Sequence, residues 1–397
     1  MKPRLLLLVA AAVVAVILGG TLLASMSVVT PYGLPEVGIN VTLPASLPYR
    51  QITTGSWDDR NPVYSPNGSL IAYVSDRGGF WGVWVMKSSG ASQRKLTPDG
   101  VMAMYPQWSP DSSAISYWFM NGLTYGIGIF NLTANRTILV TRSDMNAFQG
   151  PANWSPDGSR VLFYAMGNPP QLVMDDASKG SLTVLANATG SSLDSAWVNS
   201  TTVLYTSTDN GTSINMLDLR TGASTPYLSF PGFSFIKPSV GFNGSIVYFS
   251  NKLPDLMSTA PYVSYSYGYD LWVQTLSNST ATFQYVMADD SYRSGILIPV
   301  PFVPGIVDSS YTAQWNNNAT KLLYVCDDPV NGYRMWIWDV THWTSASVAP
   351  TRDCNVREPV WSPDGSQIAF SSDLSGQYHI YVTNLSGVSS VPSSIAY

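Results

Sequence analysis

The residues of this chain best suited to chemistry are four pairs of neighbouring aspartates: Asp58-Asp59, Asp175-Asp176, Asp289-Asp290 and Asp327-Asp328. Adjacent carboxylates in turns can offer oxygens to calcium, a hard cation that prefers them. Two carboxylates facing each other across a cleft can run glycoside hydrolysis. Asp58, Asp59, Asp289, Asp290, Asp327 and Asp328 are therefore the metal candidates, and calcium is the one cofactor they would admit. None stands in an Asp-x-Asp-x-Asp-Gly loop, and solvated turn residues account for the same pattern. Other machinery is missing. The chain has 2 histidines. His342 falls in a turn and His379 in a strand, so a histidine-dependent triad lacks its parts. There is no Gly-x-Ser-x-Gly elbow, no His/Cys cluster with zinc spacing and no phosphate-cradling glycine loop. No catalytic residue is assigned, and the reading leans away from an enzyme.

A second group is suited to binding. Tyr262, Tyr265, Tyr267 and Tyr269 lie in one long insertion, Asn251–Asp270. Tyr292, Arg293 and Phe302 lie in another, Ala288–Ser310. Tyrosine gives a large amphipathic contact at low entropic cost, and long loops on a rigid scaffold tend to carry binding. The net charge of -5 and the absence of basic runs argue against nucleic acid as a partner.

The elements that hold these loops come in a repeat of about 44 residues. Pro62-Val-Tyr-Ser-Pro-Asn-Gly68, Pro106-Gln-Trp-Ser-Pro-Asp-Ser112, Trp154-Ser-Pro-Asp-Gly158 and Pro359-Val-Trp-Ser-Pro-Asp-Gly365 align directly. Degenerate copies begin near Ala196-Trp197, Pro238 and Ala313-Gln-Trp315. Each motif is followed by a short apolar run such as Leu70–Val74, a turn such as Ser75–Gly79, and a second run such as Gly82–Met86. A weaker strand follows, such as Arg94–Thr97. Four short strands separated by Pro/Gly/Asn/Asp turns read as one sheet. The middle strands are apolar on both faces, as in a sheet covered on both sides. Such sheets packed around an axis are propeller blades.

The string P-x-W-S-P-D-G, then I-A-F-x-S-D, I-Y-V and R-x-L-T, resembles the TolB-type propeller repeat over about residues 49 to 390. That family includes the propeller domains of prolyl oligopeptidase relatives, although no hydrolase domain follows here. The resemblance implies the fold and is almost silent on function. It predicts an all-β, seven-bladed β-propeller of four-stranded blades. Arg50–Thr53 matches the fourth-strand pattern yet precedes the first motif. It is expected to complete the last sheet beside His379–Val382 and close the ring.

Blade topology then sorts the loops. Turns after the first and third strands leave on one side. Loops after the second strand and between blades leave on the other, which includes both insertions. Twelve Asn-x-Ser/Thr sequons exceed the five or so that chance would give in this composition. Asn67, Asn131, Asn135, Asn199, Asn243, Asn278, Asn318 and Asn384 fall on the side away from the insertions and are the expected glycosylation sites. Among the others, Asn187 and Asn210 share the insertion side.

The N-terminus sets location. Lys2 and Arg4 precede an uncharged stretch from Leu5 to Val29. A bilayer needs roughly 20 apolar residues, and the flanking charge keeps that end inside. An uncleaved signal anchor is favoured over a cleaved signal peptide, and both export the rest. The chain therefore divides into a signal anchor or peptide (1–30), a linker (31–48), the propeller (49–390) and a tail (391–397). Cys326 and Cys354 are the 2 cysteines, and one pair in an exported chain is expected to form a disulfide. The reading is a membrane-anchored extracytoplasmic propeller. It binds or scaffolds a protein or surface polymer through its insertion face, and meets the membrane through its N-terminal helix. The alternatives are an exported carbohydrate-active or metal-assisted enzyme and a glycosylated surface-coat component.

Overall fold

The computed structural model describes residues 49–385 except 141–145, 148–149, 168, 177–180, 188–193, 209–211, 230–234, 242–243, 251–269, 276–283, 288–312, 329–331, 340–343 and 349–353. The described residues are strand, turn and loop. Their strands pair into seven four-stranded antiparallel sheets that follow one another along the chain. In the first, Asp59–Tyr64, Leu70–Ser75, Gly82–Lys87 and Arg94–Lys95 lie side by side in sequence order. The later sheets open with first strands Met102–Trp108, Asn153–Trp154, Ser195–Asn199, Phe235–Val240, Ala313–Trp315 and Val356–Trp361. First strands pack on those of neighbouring sheets from the seventh round to the sixth, and Val356–Trp361 meets the second and third strands of the sixth; Asp59–Tyr64 meets both Met102–Trp108 and Val356–Trp361. This is an all-β propeller of four-stranded blades.

The second strands show why the blades stack. Leu70–Ser75 and Gln367–Ser372 are buried at every position but their first. Apolar side chains on both faces leave such a strand stable only between two other sheets. One core therefore forms at each junction. Ala72, Val74, Val83 and Val85 of the first blade meet Trp108, Ile115, Tyr117 and Phe119 of the second.

The repeated tryptophan joins blades by a hydrogen bond as well as by packing. Trp108 Nε1 donates to the Val63 carbonyl at 3.0 Å, Trp154 to Gln107 at 3.2 Å, Trp197 to Asn153 at 3.1 Å and Trp361 to Gln314 at 3.3 Å. The acceptor is always the residue just before the equivalent aromatic of the preceding blade. Trp315 breaks the series. Its indole N–H is buried without a partner, and a Cβ on Gly241 of the fifth blade would sit 3.0 Å from its ring. Here the ring lies on bare backbone.

The following turn is held by its own side chains. In Ser-Pro-Asp-Gly-Ser, the Asp364 carboxylate accepts from Ser362 Oγ at 2.5 Å and from the Ser366 N–H at 3.1 Å. Asp111 and Asp157 do the same in their blades. The hydroxyl of the preceding serine, with the backbone and hydroxyl of the serine two residues on, holds all three carboxyls below the usual range. Asn67 takes the role in the first blade with its amide oxygen. The fourth position of the motif sits at positive φ. Gly68, Gly158 and Gly365 suit it, while Ser112 (φ 64°) and Ala319 (φ 52°) occupy it with a Cβ.

The N-terminal strand closes the last sheet. Tyr49–Gln51 pairs with His379–Asn384, placing Arg50 opposite Val382. Ile52 donates to the Ile380 carbonyl at 2.9 Å, and Thr53 Oγ1 accepts from the Ile380 N–H. The same residues reach the first blade: Arg50 bonds the Ser89 carbonyl, and Gln93 bonds that of Ile52.

Two expectations reach beyond the described residues. The N-terminal transmembrane helix and its linker lie outside them; among those described, no helix is long and apolar enough to cross a membrane. Of the two cysteines expected to form a disulfide, Cys354 is buried. It packs in an apolar cluster with Leu323, Met335, Val348 and Val356. The side chain of Cys326 is outside the described residues.

Trp108→Phe should keep the ring packing but strand the Val63 carbonyl, lowering stability in urea unfolding by about 1–2 kcal/mol. Trp315→Phe should cost less, because its N–H has nothing to lose. Asp364→Asn should be nearly neutral, as Asn67 shows, whereas Asp364→Ala should cost about 1 kcal/mol.

Candidate functional site

The first strands of blades one, two, five and seven share a distortion. Asn61, Tyr105, Lys237 and Glu358 stand at positive φ, between 47° and 55°. Each precedes a proline: Pro62, Pro106, Pro238 and Pro359. The strand register slips at the same point, between Arg60/Val63, Met104/Gln107, Ile236/Ser239 and Arg357/Val360. Proline removes an N–H from the ladder, and a β-bulge absorbs the extra residue while re-aiming side chains. Non-glycine residues in this conformation cost of order 1–3 kcal/mol and cluster at functional positions. Four such bulges ring the innermost strands. Glu358 Oε2 links two of them, accepting from the Asn61 N–H at 3.3 Å and from the Ser371 hydroxyl.

On the insertion side of these bulges, the junction of blades six, seven and one carries a ladder of guanidinium and aromatic groups. Arg357 lies 4.5 Å from the Tyr333 ring centre and 6.0 Å from that of Tyr378. Arg60 lies 3.9 Å from the Tyr378 ring and 5.8 Å from that of Trp81. The blade topology generates the alternation. The arginines are the second residues of first strands, and the aromatics sit at the openings of third strands. All five are part-exposed. Burial pushes the Tyr378 hydroxyl up in pKa, while Arg357 beside it pulls the other way.

A clasp supports this face. Tyr378 donates its N–H to Asp58 Oδ1 at 3.1 Å, and its carbonyl accepts from Asp59 at 2.7 Å. Tyr125 does the same with Asn146 Oδ1 and the Ala147 N–H. Tyr333 gives its N–H to Asn355 Oδ1. In each case the residue opening a third strand is clasped by residues just ahead of the next blade's first strand. Asp76 and Asp373, in the Ser-Asp-x-x-Gly turns, accept from the N–H groups of Asp58 and Asn355.

The aspartate pairs can now be placed. Asp58 and Asp59 point to different partners. Asp58 Oδ2 pairs with Arg60 at 2.9 Å. Asp59 is fully buried; its Oδ1 meets Arg77 at 2.9 Å and its Oδ2 lies 3.5 Å from His379 Nδ1. Arg77 is itself stacked 4.2 Å from the Trp84 ring centre. Cations thus already face both carboxylates, and among the described residues no group of three metal-capable side chains occurs. Asp289 and Asp290 lie outside the described residues, as do the side chains of Asp327 and Asp328. The binding candidates Tyr262, Tyr265, Tyr267, Tyr269, Tyr292, Arg293 and Phe302 also lie outside them. Their segments join Ser245–Ser250 to Asp270–Thr275 and Gln284–Met287 to Ala313–Trp315. They are therefore a second-to-third-strand connection and an inter-blade connection, both belonging to the ladder's side.

The sequons have a backbone reason of their own. Asn67, Asn199 and Asn318 each accept from the backbone N–H and hydroxyl two residues on. Aspartate does this in other blades, so Asn-x-Ser/Thr is a variant of the Asp-x-Ser turn. Asn131 accepts from the Ala134 N–H, and Asn135 stands at positive φ. Asn384 is exposed at a strand end, while Asn243 and Asn278 lie outside the described residues. The bulges, the ladder and the clasp were not anticipated from the sequence. The x-Pro dipeptide two residues before each motif aromatic was the available signal for the first.

Fold and repeat together define a β-propeller of four-stranded blades. The TolB beta propeller domain model matches residues 37–198, and the chain is TolB-like in that sense. A Tol-Pal system protein TolB from Anaeromyxobacter dehalogenans is 46% identical over 46 residues, covering 12% of this chain and 11% of that protein. An uncharacterised protein of Agrobacterium fabrum is 24% identical over 127 residues, 28% of this chain and 42% of its own. The matched region is thus about a tenth of the TolB relative's length. Among solved structures, an oligogalacturonate lyase in complex with manganese superposes with a TM-score of 0.62 at 13% identity, covering 85% of this chain and 92% of that one. TolB from Acinetobacter baumannii gives 0.51 at 17% identity, covering 77% and 67%. The propeller of the Trilobed protease from Pyrococcus furiosus, described as having an open velcro topology, gives 0.56 at 10% identity, covering 83% and 94%. These likenesses are of fold alone.

Asp175, of the second pair, yields a pH prediction. It is 4% exposed, and burial, then the neighbouring Asp176 charge, pushes its pKa up to about 6. The folded state therefore favours the protonated acid. Its contribution is full below the unfolded value near 3.8, is lost as pH rises towards 6, and stays lost above. Asp175→Asn should raise stability at pH 7–8 by of order 1–3 kcal/mol and change little below about pH 4, read from melting curves across pH.

Proposed function

We propose that this protein is an extracytoplasmic binding propeller, held at a membrane by its N-terminal segment, that engages a protein or surface polymer through its insertion face. The observation that carries the reading is the part-exposed Arg357–Tyr378–Arg60 ladder at the innermost strands. Within it Arg60 is balanced by Asp58, and Arg77 nearby by Asp59. Such a surface favours hydrogen bonding and stacking over capture of a polyanion. The two insertions belong to the same side, so Tyr265 and Tyr267 are proposed to extend this surface. The curated relatives named Tol-Pal system proteins fit a role in assembly.

The test is recovery of the partner from native membranes after crosslinking. Arg357→Ala with Tyr378→Ala, and separately Tyr265→Ala with Tyr267→Ala, should each reduce recovery about tenfold or more, as loss of interface anchors does. Asn384→Gln on the opposite side should not. Recovery lost only with the Asn384 change would reverse the assignment of faces. Recovery unchanged by both pairs would refute the binding face.

A further inference from the structure

Among the described residues, six large apolar side chains are exposed: Phe80, Leu123, Ile138, Leu139, Met166 and Val184. All six belong to blades one to three. Three of them recur at one place. Phe80 (54% exposed), Leu123 (89%) and Met166 (41%) occupy the connection between second and third strands in three successive blades. They are on the insertion side. The other three lie on outermost strands: Ile138 and Leu139 in Arg136–Leu139, and Val184 in Ser181–Asn187. The patch therefore runs from the tips of one face over the outer rim of blades two and three.

We infer that this sector rests on a lipid bilayer surface. Exposed apolar patches on soluble domains mark protein or membrane contacts, and three features favour lipid. The tips are single protruding side chains set among Gly78, Gly79, Asn121, Gly122, Thr124 and Gly167. The cations beside them are already paired, Arg77 with buried Asp59 and Lys95 with Asp99. Behind them stand half-buried Trp81 and Tyr125, residue types that settle at headgroup level. Tyr125 stacks on Trp118 with ring centres 6.0 Å apart. The chain ahead of Tyr49 supplies the means of approach. Residues 31–48, at roughly 3.1 Å each if extended, could reach about 55 Å, more than the roughly 25 Å height of an eight-residue strand. This clause rests on the membrane-tethered reading proposed above; the patch itself does not. A ring resting on blades one to three would leave the Tyr333, Arg357 and Tyr378 end of the ladder, on blades six and seven, open to a partner.

The test uses the full chain in phosphatidylcholine vesicles, with an environment-sensitive bimane label on Leu123→Cys or on Asn67→Cys of the opposite side. Unchanged protein carried through labelling sets the background from the native cysteines. Lipids bearing a nitroxide near the headgroup should quench the position-123 label about twofold or more and leave the position-67 label unaffected. Adding Phe80→Ser and Met166→Ser should relieve that quenching. Protein that floats with vesicles but shows no difference between the two labels overturns this inference and leaves the tether intact. Protein that does not float overturns both. A blue shift at position 123 that grows with protein density, without quenching, would instead mark a contact between copies and also overturn it.

Discussion

The fold depends on one repeated bond, the indole N–H of Trp108, Trp154, Trp197 and Trp361 given to a backbone carbonyl of the blade before it. A blade by itself is a four-stranded sheet with two apolar faces, and hydrophobic burial would let neighbouring blades slide. The bond from Trp108 to Val63, like that from Trp361 to Gln314, fixes one residue of each first strand against one of the next. A buried donor left unmade costs about 1–3 kcal/mol, so a slipped pairing is penalised at each such junction. The geometry of the face follows from this registry. The Arg60 stack on Tyr378 and the Arg357 stack on Tyr333 exist only if first strands meet third strands of the preceding blade at a fixed height.

Ring closure applies the same logic to the chain ends. Tyr49–Gln51 is a short strand, yet it is held from two sides. Its backbone pairs with the last blade, and Arg50, Ile52 and Gln93 tie it to the first. The seam so made is polar. Buried Asp59 and His379 meet there beside part-exposed Arg77, with Asp59 Oδ2 and His379 Nδ1 facing each other at 3.5 Å. Polar groups at a seam specify one pairing more sharply than apolar ones do, because misplacement leaves them unmet. A ring that must join its first blade to its last gains most from that discrimination.

What the sequence disclosed follows from where its information is local. The Ser-Pro-Asp-Gly turns, the doubly apolar second strands and the orphan strand at Arg50 are all encoded within a few residues, and each stands where its pattern placed it. Readings taken from counts have the opposite character. The sequon excess points to a surface modification, while the amide oxygens of Asn67, Asn199 and Asn318 also repeat the work of Asp111 and Asp364 within their own turns. The pairing of Cys326 with Cys354 rests on there being two cysteines, while the burial of Cys354 follows from the apolar cluster around it. The Arg-aromatic ladder is written across three blades, from residue 60 to residue 378, and no local pattern could announce it.

Among the described residues the large exposed apolar side chains fall on blades one to three, and guanidinium stacks occur on both sides of the closure seam. Stability does not require this. Polar residues at Leu123 or Ile138 would cost the fold little, since neither side chain is enclosed. Arg60, stacked on Tyr378 and paired with Asp58, adds specificity more than it adds stability, because its guanidinium must be matched to both an aromatic face and a carboxylate.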